Sequence, residues 1–217
     1  MTYTQWTRHD DGAYAPIGAT MPTIEPGHYN LIFTPFGSQF IPVEGRDDAL
    51  LEFPDSASHD VLDGIIGFWE REAIFTKYGV PYKRGMLLYG PPGSGKTCTL
   101  EMVSRDVINR GGIVIGYPGN PIILMNGYRA LRQIQPGTPL VVILEDFENY
   151  FDDTELLNVL DGVEKIHKVV FLATTNYPER LDPRIRNRPS RFRRTHQSRP
   201  SRRRVTSAVP GKPAAPR

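Results

Sequence analysis

Gly85-Met86-Leu87-Leu88-Tyr89-Gly90-Pro91-Pro92-Gly93-Ser94-Gly95-Lys96-Thr97 is the stretch that decides the fold. Gly85 to Tyr89 is a short apolar run, as in a buried strand. Gly90 to Thr97 follows the phosphate-loop pattern G-x-x-x-x-G-K-[ST], and a helical pattern over about 96–110 follows it. The glycines let the backbone turn so that successive N–H groups face phosphate oxygens. The helix behind the loop offers its positive end to the same anions. In this pattern Lys96 reaches the β- and γ-phosphates, and the Thr97 hydroxyl is a ligand for Mg²⁺. The candidate phosphate-contacting set is Gly90, Pro91, Pro92, Gly93, Ser94, Gly95, Lys96, Thr97 and Cys98.

Working outward, similar apolar runs occur at Gly112–Tyr117, Leu140–Leu144 and Val169–Leu172, with helical patterns over 121–134 and 154–164. Strands alternating with helices predict an α/β fold with a largely parallel sheet sandwiched by helices, a P-loop NTPase architecture. Upstream, Val61, Leu62, Ile65, Ile66, Trp69 and Ile74 predict one helix from about residue 56 to 78, closed by Gly79-Val80-Pro81. His28–Thr34 and Phe40–Val43 flank the turn signal Pro35-Phe36-Gly37-Ser38 and predict a small N-terminal β hairpin that packs on the main domain. The expected divisions are a flexible arm (1–26), a β-rich segment (27–55), the nucleotide-binding subdomain (56–192) and a disordered basic tail (193–217).

The 217 residues carry a formal net charge of +2, which hides an asymmetry. Residues 1–182 hold 14 Lys+Arg against 24 Asp+Glu, and residues 183–217 hold 12 Lys+Arg and no acid. Such a tail can contact nucleic acid without sequence preference, but it contains only Phe192 for stacking and no base-reading motif. The single cysteine, Cys98, excludes an internal disulfide, and no apolar run is long enough for a membrane helix. The N-terminus has no basic n-region followed by an apolar core, so a cytoplasmic location is expected. His59, His167 and His196 show no metal-ligand spacing with nearby acids.

Leu140-Val141-Val142-Ile143-Leu144 runs into Glu145-Asp146, two carboxylates at the end of a buried strand, where open α/β sheets bind ligands. One can hold Mg²⁺ and the other can activate a water against a γ-phosphate. Strand geometry sends adjacent side chains to opposite faces, so a turn must begin at this pair. Val169-Val170-Phe171-Leu172-Ala173 leads to Thr174-Thr175-Asn176, whose amide can hydrogen-bond that water or the phosphate.

Together these residues, from about Ser56 to Phe192, resemble the AAA+ ATPases. Lys83–Thr97 looks like the entry to the family's Walker A loop, Leu144-Glu145-Asp146 like Walker B, and Asn176 like sensor 1. Leu181-Asp182-Pro183 through Arg188-Pro189-Ser190-Arg191-Phe192 looks like the arginine-finger segment, with Arg188 and Arg191 as the finger candidates. The order Glu-Asp, followed by Leu156–Val163, resembles the branch that contains the mitochondrial ATPase translocating the Rieske protein, and its bacterial and phage relatives. The resemblance implies ATP and Mg²⁺ as ligands, Thr97 and Glu145 at the metal, Asp146 as the water-activating base, and a ring, usually a hexamer. It further implies ATP hydrolysis coupled to remodelling or disassembly of a protein substrate. No membrane partner is carried over.

Two departures from the family are expected to matter. The loop where an aromatic residue grips a threaded chain is short here; Tyr117 and Tyr128 are read either as stand-ins or, at least equally, as core residues. After Arg191-Phe192 the family continues with an acid, a further strand and a helical lid, whereas Arg193 and the basic tail follow here. The chain therefore reads as truncated or frame-shifted, with the lid missing and Gly85–Tyr89 left as an open sheet edge. Two further readings follow: a nucleotide-binding module without turnover that joins or poisons rings of a full-length relative, and a nucleic-acid-associated ATPase using the tail.

Overall fold

The structure, a computed structural model, describes residues 5–8, 12–18, 20–35, 37–43, 57–150, 152–161, 166–180 and 193–197. Among these residues one seven-stranded sheet organises the molecule. It comprises β3 (Gly27–Thr34), β4 (Gly37–Pro42), β5 (Lys83–Tyr89), β6 (Ile113–Gly116), β7 (Leu140–Leu144), β8 (Val169–Thr175) and β9 (Arg193–Gln197), in the spatial order β4-β3-β6-β7-β8-β5-β9. Every neighbouring pair is parallel except β3–β4. A separate two-stranded antiparallel sheet pairs β1 (Gln5–Arg8) with β2 (Tyr14–Ile17).

The sheet is covered on both faces, and period-two alternation sorts its side chains between them. Leu140, Val142, Leu144, Val169, Phe171 and Ala173 join the core under α4 (Pro121–Ile134) and α5 (Thr154–Asp161). Val141, Ile143, Val170 and Leu172 join the opposite core, under α1 (Ala57–Trp69) and α3 (Lys96–Asn109). All five residues of β7 and all seven of β8 are buried, which explains why these strands read as continuous apolar runs.

Four expectations are corrected. The predicted single helix over 56–78 is broken into α1 and α2 (Glu72–Tyr78). The Tyr82 hydroxyl donates to the carbonyls of Phe68 and Trp69, 3.0 and 2.9 Å away, and so supplies a donor to carbonyls that the end of α1 leaves without intrahelical partners. The Tyr82 ring stacks on Phe68 with centroids 4.4 Å apart and also meets Phe75 of α2.

The N-terminal hairpin is part of the sheet itself: β3 pairs in parallel with β6 from Gly27↔Ile113 to Asn30↔Gly116. Leu31 of β3 seats against Gly127 of α4, where a Cβ would come 2.6 Å from a Leu31 methyl.

Residues 1–26 hold two short strands where an unstructured arm was expected. Ile24 is also tied to the domain by a 2.9 Å bond from its N–H to Gln135 Oε1.

Most consequentially, the open edge beside β5 does not exist among the described residues. Arg193–Gln197 pairs with Met86–Tyr89 as β9, so an ordered strand stands where the disordered tail was expected to start. Arg193–Gln197 lacks the apolar composition of a core strand, but parallel pairing to β5 draws on backbone N–H and C=O groups, which Arg and His carry as well as Val does.

Candidate active site at the strand ends

The carboxyl ends of β5, β7 and β8 converge, and the hydrogen bonds there join all three. The Gly90 N–H, just past β5, donates to the Thr175 carbonyl at 3.4 Å. The Asp146 N–H, just past β7, donates to Thr174 Oγ1 at 3.2 Å. Asn176 Nδ2, just past β8, donates to Asp146 Oδ1 at 3.3 Å.

The turn expected at Glu145-Asp146 is present. β7 ends at Leu144, and Asp146 sits in the left-handed region at φ 46°, ψ 52°. Few residues other than glycine occupy that region, and Asp is among those that do. Both acids are exposed at the strand end. A 3₁₀ turn, Phe147–Asn149, follows, with Phe147 fully buried as its anchor.

The loop Gly90–Gly95 turns through Gly93 (φ 75°) and Gly95 (φ 89°), and among the described residues nothing lies within 4 Å of where a Cβ would stand on either. The loop is thus open to an approaching ligand at both glycines. Gly95 is also the N-cap of α3 and has no side chain to accept from the helix's first amides, which leaves them for an anion. Lys96 is buried (9% exposed) and donates to Gly90 O at 2.8 Å, Pro91 O at 3.1 Å and Ser94 Oγ at 3.3 Å. All three acceptors belong to the loop, so phosphate oxygens can replace them without moving the rest of the site. Burial holds the Lys96 ammonium below its ordinary pKa, and the carboxylates of Asp146 and Glu148 oppose that shift.

These residues fit a nucleoside triphosphate with Mg²⁺. Among the described residues no group of three or more His, Cys, Asp or Glu side chains forms a metal cage. Thr97, in the first turn of α3, and Glu145, just past β7, are both exposed oxygen donors, in keeping with an ion that Mg²⁺-type sites hold partly through substrate phosphates. Cys98 is half-buried in the first turn of α3.

Arg188 and Arg191 lie outside the described residues. Tyr117 and Tyr128 are both packed. Tyr117 meets Tyr150 edge-on at 5.0 Å and donates to Asp153 Oδ2, and burial pushes its phenol upward in pKa. Tyr128 is buried and hydrogen-bonds both the N–H and the carbonyl of His167. Sequence reasoning missed two participants, Thr174 and Glu148. Glu148 Oε1 accepts from the Asn176 N–H at 3.3 Å. The third acid of Glu145-Asp146-Phe147-Glu148 was the available signal.

A family model described as "ATPase family associated with various cellular activities (AAA)" matches residues 86–199. The chain belongs to the AAA family. Its match runs past Phe192 and through β9, so the family pattern extends beyond the point where the sequence reading ended it. AAA membership supports ATP binding and ATPase activity in general.

A probable mitochondrial chaperone bcs1 of Schizosaccharomyces pombe is 32% identical over 140 residues, covering 58% of this chain and 30% of that protein. The ATPase family gene 2 protein of Saccharomyces cerevisiae is 33% identical over 140 residues (55% and 17%). An ATP-dependent zinc metalloprotease YME1 homolog of S. pombe is 29% identical over 177 residues (72% and 24%). The chain thus spans less than a third of the length of each of these relatives. The likeness to bcs1 agrees with the branch suggested by the Glu-Asp order.

Proposed function

We propose that this AAA domain binds MgATP in the Gly90–Cys98 loop, hydrolyses it, and couples turnover to the remodelling of a protein partner. The observation that carries the reading is the contact of Asp146 with Asn176 at the ends of β7 and β8, beside a loop after β5 that is bonded to the end of β8 and folds around the Lys96 ammonium. In this reading the loop amides and Lys96 bind the β- and γ-phosphates, and Thr97 and Glu145 hold the metal. Bound Mg²⁺ would supply charge neutralisation between the phosphates. Asp146 and Asn176, joined at 3.3 Å, frame the attacking water from two sides. Asp146 takes a proton from the water as its oxygen bonds to the γ-phosphorus, and the bond from that phosphorus to the β–γ bridging oxygen breaks to release ADP.

Arg188 and Arg191 are assigned to a neighbouring subunit's nucleotide, which makes turnover dependent on assembly. The coupling to a protein substrate takes its support from the relative named as a chaperone.

The test is ATP hydrolysis at several protein concentrations, with Lys96→Ala as control. A specific rate that rises with concentration and vanishes in the control is the expected result. Nucleotide binding without turnover at any concentration would overturn the hydrolytic assignment. Unchanged binding in Lys96→Ala would overturn the site.

A further inference from the structure

Among the described residues, Glu148 has one oxygen committed and one buried without a hydrogen-bond partner. Oε1 accepts from the backbone N–H of Asn176, the residue whose side chain meets Asp146. Oε2 is shielded from solvent. A buried carboxylate oxygen left unmatched is costly, and such atoms concentrate where a site is completed by something else. The strand ends explain how it gets there. Asp146 in the left-handed region turns the chain sharply, the 3₁₀ turn anchored by buried Phe147 follows, and Glu148 is directed back toward the end of β8. There its carboxylate, like that of Asp146, favours the charged form of the Lys96 ammonium against the effect of burial.

We infer that Glu148 is a positioning residue for nucleotide turnover: one oxygen fixes Asn176 in register with Asp146, and the carboxylate's charge sets how strongly the Lys96 site draws a polyphosphate. The inference rests on the proposed ATPase reading and deepens it. Glu148 acts through Asn176 and Lys96, without contact to the reacting atoms. Its two tasks are separable, because one depends on reach and the other on charge.

Glu148→Gln keeps a carbonyl oxygen for the Asn176 N–H and removes the negative charge. With that charge gone, Lys96 is less compensated and the triphosphate less repelled, so affinity for a fluorescent ATP analogue rises about fivefold. Glu148→Asp keeps the charge and shortens the side chain by one methylene, so the bond to Asn176 is lost. Its affinity stays within about twofold of wild type, while kcat falls about tenfold as the Asn176–Asp146 frame loosens. A residue needed only for folding would weaken binding in both variants and would not divide charge from reach. Thermal melts on the full chain check that both variants fold.

The affinity measurements need no turnover, so they decide the charge arm even if wild type only binds nucleotide. Equal affinity in wild type and Glu148→Gln, or weaker binding in the variant, overturns the inference. So does an unchanged kcat in Glu148→Asp with measurable wild-type hydrolysis. Wild type that binds no nucleotide is a different result, and refutes the ATPase reading itself.

Discussion

Replacing Asp146 with Asn separates backbone strain, side-chain geometry and proton transfer at one position. Asp146 occupies φ 46°, ψ 52°, a conformation that costs an ordinary L-residue roughly 1–2 kcal/mol. Asn tolerates that region as well as Asp does, so the variant adds no backbone penalty. Its amide oxygen still accepts from Asn176 Nδ2, now 3.3 Å from Asp146 Oδ1, and its N–H still donates to Thr174 Oγ1. Stability should therefore change by no more than about 0.5 kcal/mol, the usual bound for substitutions that break no buried contact. What disappears is the base. General-base catalysis contributes about 10²–10⁴ in rate, or roughly 3–5 kcal/mol of barrier. The expected result is kcat lower by at least about 100-fold, with ATP affinity unchanged or tighter because one negative charge near Lys96 is gone. Steady-state hydrolysis, fluorescent-nucleotide titration and a thermal melt read the three terms separately. Asp146→Ala is the contrast: it loses the contact to Asn176 and the side chain that tolerates the left-handed backbone, and should lower the melting temperature too. Turnover within about threefold of wild type in Asp146→Asn would refute the assignment and move the base to Glu145.

Three further outcomes follow from the packing. Gly127→Ala should gain about 1 kcal/mol of helix propensity but lose about 1–3 kcal/mol to overpacking, because the new Cβ would lie 2.6 and 2.9 Å from the Leu31 methyls. It should thus destabilise wild type yet stabilise a Leu31→Val background, and denaturant melts of the cycle check the reversal. Arg132 donates 2.6 Å bonds to the carbonyls of Thr138 and Lys168, just ahead of β7 and β8, so Arg132→Met should cost about 2–4 kcal/mol in chemical denaturation. Burial, reinforced by Glu72, pushes the Tyr82 phenol up to about 12. The folded state then holds its proton more tightly than the unfolded chain, and this contribution is complete below pH 10 and lost between pH 10 and 12. About 2–3 kcal/mol should disappear over that window, and the Tyr82→Phe variant should show a smaller alkaline loss in urea melts at stepped pH.

Which features were legible in the sequence follows from what each depends on. β5, β7 and β8 announce themselves because both faces are buried, which forces continuous apolar runs on Met86–Leu88, Leu140–Leu144 and Val169–Ala173. The phosphate loop is legible because left-handed backbone at positions 93 and 95 favours glycine, and the two glycines stand at fixed spacing ahead of Lys96-Thr97. The turn at Glu145-Asp146 follows from the impossibility of aiming adjacent strand side chains at one site. The break between α1 and α2 is different in kind. The Tyr82 hydroxyl that satisfies the carbonyls at the break is supplied from beyond α2, and the sequence's apolar spacings of up to five residues run across it.

β9 and Glu148 show the limit most sharply, and for opposite reasons. β9 has no apolar pattern because Arg193–Gln197 is specified by the backbone groups of β5, which would pair with almost any extended segment brought to that edge. Side-chain composition, the quantity a sequence displays, says little about such a strand. Glu148 has a side chain of the right chemistry, but its role depends on a fold in the chain. Had β7 continued straight, period-two geometry would place residue 148 on the same face as Asp146 and about two residues farther along, away from Asn176. The left-handed Asp146 and the 3₁₀ turn anchored by Phe147 bring it back. The same strained residue therefore does two jobs: it presents its own carboxylate to Asn176 Nδ2 and returns Glu148 to Asn176 N. If that is the reason for the strain, Asp146→Gly should relieve it, keep the fold, and loosen Asn176 along with the loss of the carboxylate. Its turnover should then fall below that of Asp146→Asn, whose side-chain contact to Asn176 is intact, and equal rates in the two would detach that contact from turnover.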